Sequence, residues 1–303
     1  MGALTNLSKL PLPNVVELLD FETLYNQRKE KLISLYPVEQ QQEVAKTLQY
    51  ESEPIVKLLQ ESAYYELILR QRINEASCAL MIAHSKHNDL DNLGANFNVY
   101  RLIVQPADDT VTPAISEIKE SDDDFRMRIQ AAFEGLSVAG PRAAYEFYAR
   151  SADGRVLDAA AESPSPACVT LAILARDNNG IASDELIEIV KKAVNHDDRR
   201  PVADRVTVKS VELISYQINA KLYLYPGPES EPIKKTALEN LQNYITERHR
   251  IGRRINRSAI ISALHVVGVQ RVELLVPAHD ILINREQASV CTDYQIEVAG
   301  YDE

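Results

Sequence analysis

Five short stretches carry residue types that could do chemistry. Gly135-Leu136-Ser137-Val138-Ala139-Gly140 superficially resembles a nucleophile elbow, in which a strained Gly-x-Ser-x-Gly turn after a strand exposes the serine hydroxyl. Here the second glycine stands one residue late and the segment follows a predicted helix, so acyl chemistry at Ser137 is not expected. Asp177-Asn178-Asn179-Gly180 is rich in oxygen ligands, yet it lacks the ligand spacing and closing glutamate of a calcium loop and reads as a turn. His196-Asp197-Asp198 offers three ligands that are neighbours in sequence, which rarely converge on one ion without a distant fourth group. Asp122-Asp123-Asp124 follows Ser121 and fills a helix's first turn, where backbone N–H groups favour negative charge, so capping explains it better than metal binding. His84 and His87, three residues apart, close a predicted helix and complement its negative C-terminus. No phosphate loop, dinucleotide-binding glycine pattern or His-Glu-x-x-His occurs, so the chain is read as non-enzymatic, with no cofactor and no metal.

One charge cluster stands out. Arg248-His249-Arg250-Ile251-Gly252-Arg253-Arg254-Ile255-Asn256-Arg257 holds five arginines and no acid. Guanidinium groups there could track a phosphate backbone, which makes a nucleic-acid-binding module using residues 248–257 the alternative reading. They suit bidentate pairing with carboxylates equally well. The chain offers such acids at Asp108, Asp109, Glu117, Glu120 and Asp122 to Asp124, and pairing with protein carboxylates is the preferred reading. Arg248, Arg250, Arg253, Arg254 and Arg257 are therefore candidate interface residues.

The bulk properties agree with a protein partner. With 303 residues, 45% of them hydrophobic, the chain can bury roughly three quarters of its unfolded surface. A net charge of -11 repels phosphate backbones and anionic lipid at long range. The longest stretches without Asp, Glu, Lys or Arg, Ser163 to Ala175 and Ser258 to Gln270, have 13 residues each, short of the ~20 that a membrane helix needs. Cys78, Cys168 and Cys291 are odd in number and scattered, as expected of buried free thiols in a reducing cytoplasm. Met1-Gly2-Ala3-Leu4-Thr5-Asn6 lacks a basic segment before an apolar core, and Asn6 stands where a myristoylation signal has Ser or Thr.

The elements that must position these residues read as α+β: a helical N-terminal region with a long amphipathic helix, then two small α/β modules in tandem. Residues 1–95 are expected to be helical, 96–136 a connecting strand, loop and helix, 137–210 the first module and 211–303 the second. Helix begins after Pro11-Leu12-Pro13, near Asp20-Phe21-Glu22, and breaks at Tyr36-Pro37. From Pro54 to about Ser85 no glycine or further proline intervenes, and Tyr65, Leu69, Ile73, Ala76, Leu80 and Ala83 recur at steps of four and three. A helix of ~48 Å is hard to bury in one small domain, so its stripe is expected to meet other helices of this chain or of a partner, with Tyr65, Leu69, Ile73 and Leu80 at the contact. Residues 97–105 read as a strand, 106–113 as a loop, and Pro141 as the start of another helix. Strands are expected near 155–163, 167–175, 205–209, 270–276 and 289–298, with helices from Ser183 to about Asn195, at 231–250 and at 256–264. Ser215 to Tyr225 alternates at period two, its even positions apolar, and Pro226-Gly227-Pro228 ends it.

Ser121-Asp122-Asp123-Asp124-Phe125-Arg126-Met127-Arg128-Ile129, then Glu134 to Pro141, Tyr145 and Ser151-Ala152-Asp153, closely resemble the baseplate J-like family of contractile phage tails. The resemblance continues through 88–93, 163–167, 200–206, 223–228 and 268–273. It covers most of the chain from about residue 80 and, more loosely, the helical N-terminus, without a large departure. It implies a baseplate wedge component, paired with a second copy of itself and a smaller wedge protein. It further implies contact with a sheath-initiator-type protein, assembly into a sixfold ring around the central hub and spike, and a place in the virion after synthesis in the host cytoplasm. On that view the long helix supplies a stripe shared between wedge proteins, the modules make lateral ring contacts, and loops between modules let them pivot.

Overall fold

A computed structural model describes Leu7 and residues 10–137, 139–225 and 230–300. Met1 to Asn6 and Pro226-Gly227-Pro228 lie outside them. The chain is an α+β protein that divides into two compact units, Ala3–Asn98 and Val99–Glu303.

The N-terminal unit holds α1 (Phe21–Ser34), α2 (Val38–Thr47), α3 (Pro54–Ala79) and α4 (His87–Ala95). Asp20 caps α1, its carboxylate accepting from the Thr23 hydroxyl at 2.6 Å and the Thr23 N–H at 2.8 Å, and these bonds, the hydroxyl's foremost, hold the carboxyl below its ordinary range. Pro37 breaks the chain between α1 and α2, and Pro54, with no N–H to lose, opens α3. Leu24 and Tyr25 pack on Val56, Ala63 and Leu48 to form this unit's core.

Helix α3 is shorter than its apolar period suggests. It stops at Ala79, about 39 Å long at 1.5 Å per residue, so His84 lies in a turn and His87 starts the next helix with a positive φ of 50°. The two histidines do not close one helix. Leu90, the fourth residue of the next helix, is fully buried.

In the second unit β1 (Ile103–Gln105) and β2 (Ile118–Lys119) form a narrow antiparallel ribbon, extended by a bridge between Asp108 and Ile115. The expected strand over 97–105 is real only at its end. Residues 99 to 102 are used at the ribbon's root, where Val99 is buried and the Tyr100 and Leu102 carbonyls accept from Arg128 and the Glu120 N–H. Helix α5 (Asp122–Ala131) follows, with the Ser121 hydroxyl accepting from the Asp124 N–H, and a short 3-10 turn leads to α6 (Arg142–Arg150).

The first sheet orders β3 (Val156–Ser165), β4 (Cys168–Ala175) and β5 (Arg205–Ser210), antiparallel then parallel, with α7 (Asp184–Val194) as the crossover to β5. Ala159, Ala161, Leu171 and Ile173 meet Leu186, Val190 and Val194 of α7 and Tyr145 and Ala149 of α6. The second sheet orders β7 (Val269–Val276), β6 (Glu212–Leu224) and β8 (Gln287–Gly300), covered by α8 (Ser230–Arg248) and α9 (Arg257–Leu264). Tyr216, Ile218, Ala220, Leu222 and Leu224, the even positions of β6 from Tyr216 onward, are all buried against Ala237, Leu241, Ile260 and Leu264. Each Leu or Ile buried there contributes about 1.5–3 kcal/mol.

The two modules are not separated by a loop. Val211 alone stands between β5 and β6; it is buried, and its N–H donates to the Ile173 carbonyl at 2.9 Å. Leu174, Val211 and Ala288 form a small core across the junction with Leu157, Leu213 and Ile251 against it. The expected separating loop is therefore absent, and apolar side chains from both sheets are interleaved where a hinge would have to be.

Candidate functional site

Helix α3 has two unlike faces. Val56 and Ala63 pack against α1, Asn74 exchanges hydrogen bonds with the backbone of Glu17, and Glu66 accepts from Arg28 and Arg70. Hydrogen bonding and charge from those two arginines, Arg28 first, hold the Glu66 carboxyl below its ordinary range. On the stripe read from the sequence, Tyr65, Leu69, Ile73 and Leu80 are 58%, 66%, 57% and 77% exposed. Tyr64 and Ile68 are exposed beside them. From Tyr65 to Leu80 this apolar surface runs about 22 Å with no cover from described residues of its own unit.

The chemical candidates are scattered. Ser137 follows the 3-10 turn, His196 and Asp198 face each other at 3.5 Å on an exposed turn, and Asp177 to Gly180 form a tight turn with Asn178 and Asn179 at positive φ. Asp122 pairs with Arg101, Asp123 with Arg126, and Asp124 with Arg176 and Arg250, so the three carboxylates point to different cations. Among the described residues no three His, Cys, Asp or Glu side chains are grouped to hold a metal ion, and no described helix is long and apolar enough to cross a membrane. Cys78, Cys168 and Cys291 are free and only half-buried.

The arginine cluster divides in two. Arg248 ends α8 with its guanidinium over the Tyr244 ring. Arg250 donates to the Leu157 carbonyl at 2.5 Å and to Asp124 at 2.7 Å, and Arg257 donates to the Leu274 and Pro277 carbonyls. Arg253 and Arg254 are exposed and make no ion pair with a described residue. A phosphate-tracking strip would need the row of cations open to solvent, and only two of the five remain so.

Asp124 is a residue whose role had no local signal, because Arg250 lies 126 positions away. Its carboxylate joins α5 to Arg176 at the end of β4 and to Arg250 beyond α8, each at 2.7 Å. Burial alone would raise its pKa; the two arginines, Arg250 foremost, outweigh this and leave it below the ordinary carboxylate range. Asp158 adds a second tie by accepting from the Ile251 N–H at 3.1 Å.

Close by, buried Glu146 accepts one bond, from the Ala161 N–H at 3.2 Å, and desolvation pushes its carboxyl above the ordinary range. A raised folded-state pKa means the folded chain takes up this proton first as pH falls, so ionised Glu146 opposes folding at neutral pH. Glu146→Gln keeps the acceptor oxygen and is expected to raise the melting temperature at pH 7, with the gain vanishing below about pH 4, where both states are protonated. Melting curves at the two pH values check it, and equal gains at both would remove the charge explanation.

Comparison with known proteins adds the family. The baseplate J-like N-terminal domain matches residues 51–108, the baseplate J-like central domain residues 137–210, and the C-terminal domain of baseplate J-like proteins residues 216–297. The chain belongs to the baseplate J-like family. Baseplate protein J of Escherichia phage P2 is 58% identical over 298 residues, covering 98% of this chain and 99% of that one. As a family member the chain is a phage-tail baseplate protein and a structural part of the virion. A cryo-EM structure of the anti-feeding prophage baseplate, six-fold symmetrised, aligns at TM-score 0.40 and 12% identity over 63% of this chain and 49% of that one. The chain thus spans about half the length of that protein. The family's N-terminal domain takes in all of α3 and β1, the family's central domain the first sheet, and the family's C-terminal domain most of the second.

Proposed function

We propose that the chain is a wedge subunit of a contractile-tail baseplate, needed for baseplate assembly and ring formation, and that it acts by docking on other subunits without catalysing a reaction. Its partners in this reading are a second copy of itself, a smaller wedge protein, a sheath-initiator-type protein and the region of the central hub and spike. Residues 1–95 supply the bundle helix, 96–136 the connection, and the modules 137–210 and 211–303 the lateral contacts. The observation that carries the reading is the uncovered stripe Tyr65, Leu69, Ile73 and Leu80 on a helix whose other side is already occupied. An apolar band of that length stays exposed in a soluble assembly protein because another helix lies on it.

Leu69→Glu with Ile73→Glu in the full-length chain should abolish co-purification with the other wedge protein while leaving the circular dichroism spectrum unchanged. Continued co-purification would remove the stripe from the interface. The two open arginines, Arg253 and Arg254, are the module-side contact in this reading; Arg248, Arg250 and Arg257 support them from within.

A further inference from the structure

Sorting the acids of residues 108–124 and the arginines of residues 248–257 by partner leaves two open groups. Glu120, Asp122, Asp123 and Asp124 are paired with arginines inside the chain, and Arg250 and Arg257 are engaged there too. Arg253 and Arg254 remain on the basic side. On the acidic side Asp109 is exposed without an ion pair to a described residue, the Asp108 carboxylate accepts from Thr110 two residues on and pairs with no described cation, and Glu117 faces Lys119 at 3.5 Å. These three acids sit on the β1–β2 ribbon, where Ile103, Val111, Ile115 and Ile118 are also exposed.

The ribbon is firmly rooted and otherwise bare. At its base the buried Glu120–Arg128 pair, the Arg128 bond to the Tyr100 carbonyl and the close approach of the Ile103 carbonyl to Gly154, which leaves no room for a Cβ, fix the direction in which it leaves the body. Two-stranded ribbons are marginal in water by themselves, so an arm with four uncovered aliphatic side chains calls for a surface to lie on. The loop bearing Arg253 and Arg254 offers the complement. Gly252, at φ +71°, turns the chain outward while its N–H donates to the Gln287 carbonyl, and the Ile255–Ile281 bridge places exposed Leu282 beside the loop.

We propose that the β1–β2 ribbon of one copy docks on the Arg253–Arg254 loop of a neighbouring copy, carboxylates against guanidinium groups and aliphatic side chains against Leu282. Different patches meet in such a contact, so it is heterologous and propagates around a ring without being used up in a dimer. It rests on the reading of this loop as an assembly contact and supplies the surface opposite to it.

The test is a charge swap in tails assembled from the full-length protein, scored by counting intact baseplates in electron micrographs. Asp109, Glu117, Arg253 and Arg254 are all exposed, so reversal leaves the fold intact. Each one-sided reversal, D109R/E117R or R253E/R254E, should lower the count roughly 100-fold, because like charges then face each other across the contact. Both reversals in one chain should restore it to within about tenfold of the original, since complementarity returns with opposite sign. If the combined variant stays as low as R253E/R254E alone, the ribbon is not the partner, although the loop remains an assembly contact. If neither one-sided reversal has an effect, both the proposal and the role of the arginine loop fail.

Discussion

Replacing Glu120 by alanine should cost about 3–5 kcal/mol, because it leaves the Arg128 guanidinium buried without its counter-charge. The pair is 2.7 Å apart with side chains only 4% and 5% exposed. Two further donations, to the Tyr100 carbonyl and the Ser151 hydroxyl, cannot neutralise the cation. For a unit of this size the loss corresponds to a melting temperature lower by roughly 10 °C. Calorimetry of the purified chain reads it directly, and a shift under about 2 °C would show that water reaches Arg128 in the variant. Glu120→Gln should cost less, since an acceptor remains.

Asp124→Asn should cost about 3 kcal/mol and change how stability responds to acid. Asp124 has a folded-state pKa below its unfolded value, so its contribution is fully present above the unfolded value of about 4 and disappears as pH falls through the lower folded value. Asparagine carries no charge at any pH. The variant should therefore be less stable at pH 7 and should lose part of the acid-side decline, the two stability curves converging as pH falls below about 4. Parallel curves across that range would mean that Asp124 acts through shape alone.

Much of the architecture was legible because its signals are local. Ser121 and Ser183 cap helices with their hydroxyls, Pro37 separates two helices, and the period-two run from Tyr216 to Leu224 buries its even positions. The exposed stripe of α3 was equally readable, since its spacing depends on helix geometry alone. What escaped is set by distant partners. Helix α3 ends at Ala79 with no glycine or proline to mark the stop, and Leu90 beyond it is fully buried. Residues 97–102 have strand-like composition, yet their backbone serves Arg128 and Glu120. The arginine cluster reads as one surface in the sequence, while folding brings Asp124 from 126 positions away to claim Arg250.

Val211 carries a mechanical consequence. With one buried residue joining β5 to β6, and Arg250 tying the second sheet to Leu157 of β3 and Asp124 of α5, the two sheets act as a stiff beam. A load received at the turn after α8 reaches α5 through the 2.7 Å bond between Arg250 and Asp124. In the wedge role proposed above, rearrangement falls outside this beam, at contacts that can break and re-form, and stiffness inside the subunit is what lets those contacts feel the force.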